Sequence, residues 1–251
     1  MLPVIVLAAV LGLAVGSFLN VVAWRLPRKE PLTRPRSRCA ACAVPIRPVD
    51  NVPVVSWLVL RGRCRACGEP ISPRYPVVEA ATAALYAAVV AADWGNEARI
   101  ALGIALVTLL VPVTLIDLEH RLIPNRLTGP FAIIALALGV ALDSGFVVEQ
   151  LIAGAAAGGF FFLAVLAYPK GMGMGDVKLA GVMGLFLGRS VGVALLIGLL
   201  AGVVVGAAII ARKGASAGRK TSIPFGPFLA LGAIVALFIG DAIVDAYLAR
   251  A

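Results

Sequence analysis

Long apolar runs alternate with short polar breaks along most of the chain. Runs at 2–23, 77–92, 100–116, 127–142, 146–168, 177–187, 191–211 and 223–243 predict eight membrane-spanning helices, since about 20 apolar residues cross a bilayer comfortably. Several runs are shorter than that. Short spans suit a bundle whose helix ends are shielded by protein or line a cavity. The break between the sixth and seventh runs, at Gly188-Arg189-Ser190, is the weakest in the pattern. One stretch departs from the rhythm altogether. Residues 25–76 hold no long apolar run, are rich in Arg and Pro, and contain all four cysteines. The expected fold is therefore an all-α polytopic bundle in three parts. These are a first transmembrane helix at 1–24, an aqueous cysteine module at 25–76, and a membrane bundle at 77–251.

Composition agrees with a membrane class. The chain has 251 residues, 61% of them hydrophobic, and a mean hydropathy of +1.00. Soluble domains are not built this way. Charge then orients the bundle. The 25–76 loop carries eleven of the 22 Lys and Arg residues, against only Glu30, Asp50 and Glu69. Such a bias marks the cytoplasmic side. Eight spans put loops 119–126, 169–176 and 212–220 on that same side, with Arg121, Arg126, Lys170, Arg212, Lys213, Arg219 and Lys220. The opposite loops carry Asp93, Glu97, Asp143 and Glu149, with Arg99 and Arg189 as their cations. Both termini are then expected outside the cytoplasm. The first span has no basic residue ahead of its apolar core, and Arg25, Arg28 and Lys29 follow it. That polarity is the reverse of a cleavable signal, so it reads as a retained anchor. The net charge of +9 is largely this topological signal in contact with anionic lipid. No basic-aromatic fold accompanies it, and no nucleic-acid partner is expected.

Two acidic residues stand where the bilayer makes them expensive. Asp117 ends one apolar run, and Asp176 opens another behind Gly173-Met174-Gly175. A charge at membrane depth costs roughly 2.5–3.5 kcal/mol on insertion scales, which makes such residues functional candidates. Both are expected at one edge of the bilayer, where two carboxyls sharing a proton form an acid–base pair. Taken singly, each has a blander reading as a helix flank or an N-terminal cap. His120 is the only histidine, so a histidine-based metal site is excluded. It and Glu119 read as interfacial residues. Lys178 either tunes Asp176 or snorkels to the headgroups. Glu79 and Arg74 read as a structural pair, Asp241 and Asp245 as flanks of the last span, and Gly12 and Gly16 as packing notches.

The cysteines form two CxxC knuckles, Cys39/Cys42 and Cys64/Cys67, separated by 21 residues. Four thiolates in this pattern suit a tetrahedral, structural Zn²⁺ as in zinc ribbons. Two disulfides are the alternative, which a cytoplasmic location disfavours. A redox CxxC is a third reading, but no thioredoxin-like pattern surrounds either pair.

These residues bring a family into view. The chain resembles the prepilin peptidases, membrane aspartyl proteases that process type IV pilins and secretion pseudopilins. The resemblance runs over nearly the whole length: Gly16-Ser17-Phe18-Leu19-Asn20, both knuckles, Asp50-Asn51-Val52-Pro53, Ser56-Trp57-Leu58 and Ile71-Ser72-Pro73-Arg74-Tyr75-Pro76. It includes Ile116-Asp117-Leu118-Glu119-His120 and the GxGD segment Gly173-Met174-Gly175-Asp176. Asn125 departs from the pattern, since many relatives have Asp there. The resemblance implies Asp117 and Asp176 as the catalytic pair, prepilins or pseudopilins as substrates, and a multi-pass location in the bacterial inner membrane. It also implies a second activity, N-methylation of the new N-terminus with S-adenosylmethionine. No glycine-rich nucleotide fingerprint locates a donor site. Two other classes stay open: an ion-coupled transporter with intramembrane carboxylates, and a non-enzymatic membrane scaffold with a zinc docking module.

Overall fold

The computed structural model describes residues 1–169, 172–214 and 223–250. Lys170, Arg219 and Lys220, which belong to two of the loops expected on the cytoplasmic side, lie outside the described residues. The chain divides into two compact units, Met1–Trp94 and Gly95–Ala251.

The first unit contains α1 (Leu2–Arg25), a short α2 (Val55–Val59) and α3 (Arg74–Ala92). Helices α1 and α3 interlock through small residues. A Cβ on Gly12 would lie 2.6 Å from the Ala83 Cα, and one on Gly16 2.9 Å from the Glu79 Cα. Glycine lets two backbones approach this closely, which is how apolar helices associate where lipid offers no hydrophobic drive. Buried Asn20 ties the same pair, donating to the Gly16 and Tyr75 carbonyls at 3.3 Å each. The second span thus packs with the first inside the unit Met1–Trp94. Glu79 lies buried in α3 and accepts the Val54 N–H at 2.7 Å.

The second unit holds α4 (Glu97–His120), α5 (Asn125–Leu142), α6 (Val147–Ala167), α7 (Met174–Leu187), α8 (Val191–Lys213) and α9 (Gly226–Leu248). Helix α4 starts at an Asn96 cap that accepts the Arg99 N–H at 3.0 Å. It ends where Arg121 turns left-handed, at φ 52°. Leu106, Val107, Leu109, Val113 and Ile116 along it are fully enclosed, so it is a core helix of the unit. Among the described residues, seven segments are long and apolar enough to cross a membrane, and Met174–Arg212 is one of them at 39 residues. The backbone divides that segment in two. Gly188, at φ +54°, breaks it beside Glu149 and Phe146 at the start of α6. Helix α8 then runs back along α9: Ser190 lies at Gly240, Ala194 at Gly232, and Gly198 at Phe228. The division expected at residues 188–190 is therefore present. Helix α7 has only 14 residues, about 21 Å at 1.5 Å per residue.

This path sorts the polar loops of the second unit by end. One end gathers the close of α4, the start of α5, the start of α7 and the start of α9. The other gathers Arg99, Glu149, Arg189 and Asp241 into a polar clasp. Glu149 accepts the Arg189 N–H at 2.7 Å, and the Ser190 hydroxyl donates to Asp241 at 2.5 Å. Arg99 pairs with Asp241 at 2.5 Å, and Arg189 with Asp245 at 2.9 Å. Asp241 and Asp245 are thus members of an ion-pair network, which the single-residue view of them as flanks does not include.

Candidate active site and cysteine cluster

Asp117 sits one turn before the end of α4 and is only 5% exposed. Its buried position follows from the helix repeat, which puts it beside Val113 and Ile116 on the enclosed side. Its Oδ2 accepts the Gly226 N–H at 2.8 Å. Gly226 is the first residue of α9, where backbone amides have no partner within the helix. A Cβ there would meet the same Oδ2 at 2.8 Å and the carboxyl carbon at 3.2 Å. Glycine is what lets the α9 backbone close on the carboxylate.

Asp176 is the third residue of α7, and Gly173 caps that helix. The Asp176 carboxylate reaches back to accept the Gly173 N–H at 3.3 Å. The next glycine has a packing role. A Cβ on Gly175 would lie 3.0 Å from the Ile123 Cβ, so the GxGD segment lies against the loop that leaves α4. Asp117 and Asp176 are close enough for the charge of one to act on the other. The two carboxyls thus lie within electrostatic reach of each other, with the Gly226 N–H as a backbone donor to Asp117 and the Gly173 N–H as one to Asp176. Lys178 does not bond Asp176. It donates to Asn125 Oδ1 at 2.9 Å, so the first residue of α5 is tied to α7. His120 and Glu119 stay at the exposed end of α4, 3.8 Å apart.

Gly226 is the residue of this site that the sequence reading passed over. Its signal is a Pro224-Phe225-Gly226-Pro227 break at the mouth of a span. That break predicts a helix start and nothing about a carboxylate.

The four cysteine sulfurs lie within 4.8 Å of one another. Cys39 and Cys67 Sγ are 3.8 Å apart, and a Zn–S distance of about 2.3 Å gives a tetrahedral edge of about 3.8 Å. The donor set therefore fits one metal ion. Its frame is an internal repeat, absent from the expectations above. Arg-Cys-x-Ala-Cys-x-x-Pro-Ile occurs at 38–46 and again at 63–71. Both copies make the same three hydrogen bonds. Cys39 N–H donates to Val44 O as Cys64 does to Glu69 O, Ala43 to Cys39 O as Gly68 to Cys64 O, and Ile46 to Ser37 O as Ile71 to Gly62 O. The sixth position is left-handed in each, Ala43 at φ 58° and Gly68 at φ 75°. Amide donors from Cys42 and Ala41 lower the Cys39 thiol to about 6. Cys67 has a donor in Glu69 N–H that acts the other way. Desolvation and proton sharing with Cys42, Cys64 and Cys39 outweigh it and push Cys67 up to about 12.

An all-helical membrane bundle with two adjoining carboxyls at its helix ends is the class that this geometry defines. Family comparison is consistent with it. Residues 10–92 match the bacterial peptidase A24 N-terminal domain, and residues 104–211 match the type IV leader peptidase family. A prepilin leader peptidase/N-methyltransferase of Aeromonas hydrophila is 37% identical, over 94% of this chain and 91% of the relative. One of Stutzerimonas stutzeri is 35% identical, over 98% and 94%. A type 4 prepilin-like proteins leader peptide-processing enzyme of Escherichia coli is 34% identical, over 93% of each chain. No solved structure matches. The chain belongs to the type IV leader peptidase family. The two matched regions fall one in each compact unit.

Proposed function

We propose that the chain removes the N-terminal leader of type IV prepilins or pseudopilins, with Asp117 and Asp176 as the catalytic pair. The observation that carries this reading is the meeting of two carboxyls at the junction of α4, α7 and α9, one of them 5% exposed. One carboxylate takes a proton from water as it attacks the scissile carbonyl. The other, protonated, polarises that carbonyl and then protonates the leaving amine. Neighbouring carboxyls favour such a division because both cannot easily ionise together. The pair titrates as a unit. The positive bias of the 25–76 loop supports a cytoplasmic placing of the pair in the bacterial inner membrane, with both termini on the opposite side. A substrate's basic leader then stays in the cytoplasm, its apolar stem lies in the bilayer, and the scissile bond falls at the interface.

Cys39, Cys42, Cys64 and Cys67 would hold a structural Zn²⁺, which supplies cross-linking of the two knuckles. The names of the relatives couple the peptidase to an N-methyltransferase. We extend that activity to this chain, with S-adenosylmethionine as methyl donor and no residue assigned to it.

The scaffold reading has one observation in its favour. Each aspartate also accepts a helix-end N–H, which a purely structural residue would do. Replacement by asparagine separates the two readings. Asparagine keeps an acceptor oxygen for the amide and loses the proton chemistry. Asp117→Asn and Asp176→Asn should each abolish cleavage of a prepilin-like peptide in protein that inserts and melts normally. Robust cleavage by either variant would leave the scaffold reading.

A further inference from the structure

The loop between α1 and α3 exposes an apolar surface that the cysteine knuckles do not use. Val49, Val52, Val55, Leu58 and Val59 are each 45–70% exposed. Their polar neighbour points the other way. Ser56 is buried, donating to Val49 O at 3.0 Å and accepting the Val52 N–H at 2.8 Å. Trp57 is half-buried against Gly62 and donates its indole N–H to Ile71 O at 3.0 Å. Helix α2 thus turns aliphatic side chains outward and a hydroxyl inward, the reverse of a water-facing helix.

The backbone holds this surface at a defined depth. Val55 N–H donates to Pro53 O at 2.6 Å, closing a three-residue turn with Val54 at φ 62°, ψ −52°. A β-branched residue there costs on the order of 1–3 kcal/mol and persists only when its surroundings impose it. Glu79 is what imposes it, through its bond to the Val54 N–H. Glu79 lies five residues into α3, about 7.5 Å along the helix at 1.5 Å per residue. The aromatic residues that mark a membrane interface lie above it. Tyr75 is exposed at the first turn of α3, and exposed Trp24 ends α1 under the Arg28 guanidinium at 3.7 Å. Asn20 joins α1 to the Tyr75 carbonyl. Val54 is therefore tethered below the level of Tyr75, at the bilayer boundary rather than in bulk water.

We infer that residues 49–59 are an interfacial membrane anchor. Helix α2 lies against the bilayer with Val55, Leu58 and Val59 in the acyl boundary, and exposed Arg61 and Arg63 meet anionic headgroups. Interfacial helices seat roughly 5–10 Å into that boundary, the depth that the Glu79 tether sets. The surface is continuous in character with the lipid-facing sides of the flanking helices, where Phe18 and Val77 are exposed. This inference is independent of the peptidase reading.

The test uses full-length, zinc-loaded protein in nanodiscs of phosphatidylcholine and phosphatidylglycerol. A spin label is placed at Leu58→Cys and, separately, at Val59→Cys, with the knuckles protected by metal and mass measurement verifying one label per chain. Collision with oxygen should exceed collision with a water-soluble nickel chelate at both sites, and Glu79→Ala, which removes the acceptor of the Val54 N–H, should shift both labels toward the chelate. Discs without phosphatidylglycerol should shift them in the same direction, and no shift would remove the headgroup contact. Chelate collisions exceeding oxygen at both sites would overturn the anchor. So would protection that appears only when a prepilin peptide or a second copy of the chain is added, since the occupant would then be protein.

Discussion

The Gly226 backbone amide holds the Asp117 carboxylate, and the residue that supplies it has no side chain. Gly226 lies in helical conformation at the start of α9, so alanine would fit its backbone and meet Asp117 first, at 2.8 Å from Oδ2. Gly226→Ala should therefore fold and yet move the carboxylate. A displacement near 1 Å costs about 100-fold in rate, and peptide cleavage should fall by about that factor with the melting midpoint little changed. Unchanged cleavage would mean that the contact does not position the acid. Ala43 poses the opposite case. It holds a left-handed conformation that the second knuckle gives to Gly68, at a cost of roughly 1–2 kcal/mol for a residue with a Cβ. Ala43→Gly should raise resistance of the knuckles to a zinc chelator, part of the gain being offset by glycine's chain entropy. The two aspartates were legible in sequence because a charge inside an apolar run is conspicuous. Gly226 was not, because its contribution is a backbone N–H, a group that every residue except proline carries.

At the scale of elements, the cysteine module shows how a repeat becomes a site. Two copies of one hairpin, each stabilised by the same three backbone bonds, bring four sulfurs within 4.8 Å. The purified protein should hold one Zn²⁺ per chain, and Cys39→Ser with Cys42→Ser should release it and make the loop sensitive to protease, because metal binding and folding are linked in such modules. The sign of the pH dependence follows from the thiols. Zinc takes thiolates, so protons compete, and affinity falls as pH falls. Cys67 keeps its proton up to about 12 without metal, so loading at neutral pH should release protons, measurable in weakly buffered solution. Below about pH 6 Cys39 is protonated as well in the metal-free site, so one more proton competes there and affinity should fall more steeply with pH. A proton-neutral binding isotherm would contradict four-thiolate ligation. The CxxC spacing was enough to predict this cluster. The extent of the first unit was not, because hydropathy marks α3 as a span without saying which helix it packs on. That choice is made by Gly12 and Gly16 against Ala83 and Glu79, a match of shapes between segments far apart in sequence.

Across the whole molecule, the chemistry depends on which polar groups share a side of the bilayer. In the second unit the helix path puts Asp117, Asn125, Asp176 and Gly226 at one end, and Arg99, Glu149, Arg189 and Asp241 at the other. Loop charge alone had grouped most of these residues in the same way. It could do so because insertion reads Lys and Arg in short loops, largely irrespective of the final packing. What charge could not reveal is that Arg99 and Arg189, the cations of the minority side, are neutralised by Asp241 and Asp245 within the fold. Insertion counts Lys and Arg rather than net charge, so this pairing belongs to the stability of the fold and leaves the orienting bias as it stands. Membrane-impermeant labelling of single cysteines, with the knuckles protected by metal, should therefore mark Asn125→Cys only from the cytoplasmic side, and Gly95→Cys and Ser144→Cys only from the opposite side. A disulfide between Leu118→Cys and Gly175→Cys under mild oxidation should form in the same preparations, since Gly175 packs on the loop leaving α4. Formation of that link with Asn125 labelled from the wrong side would keep the paired carboxyls and invert the enzyme in its membrane. The substrate's basic leader would then have to cross before cleavage, and the order of insertion and processing proposed for this chain would fail.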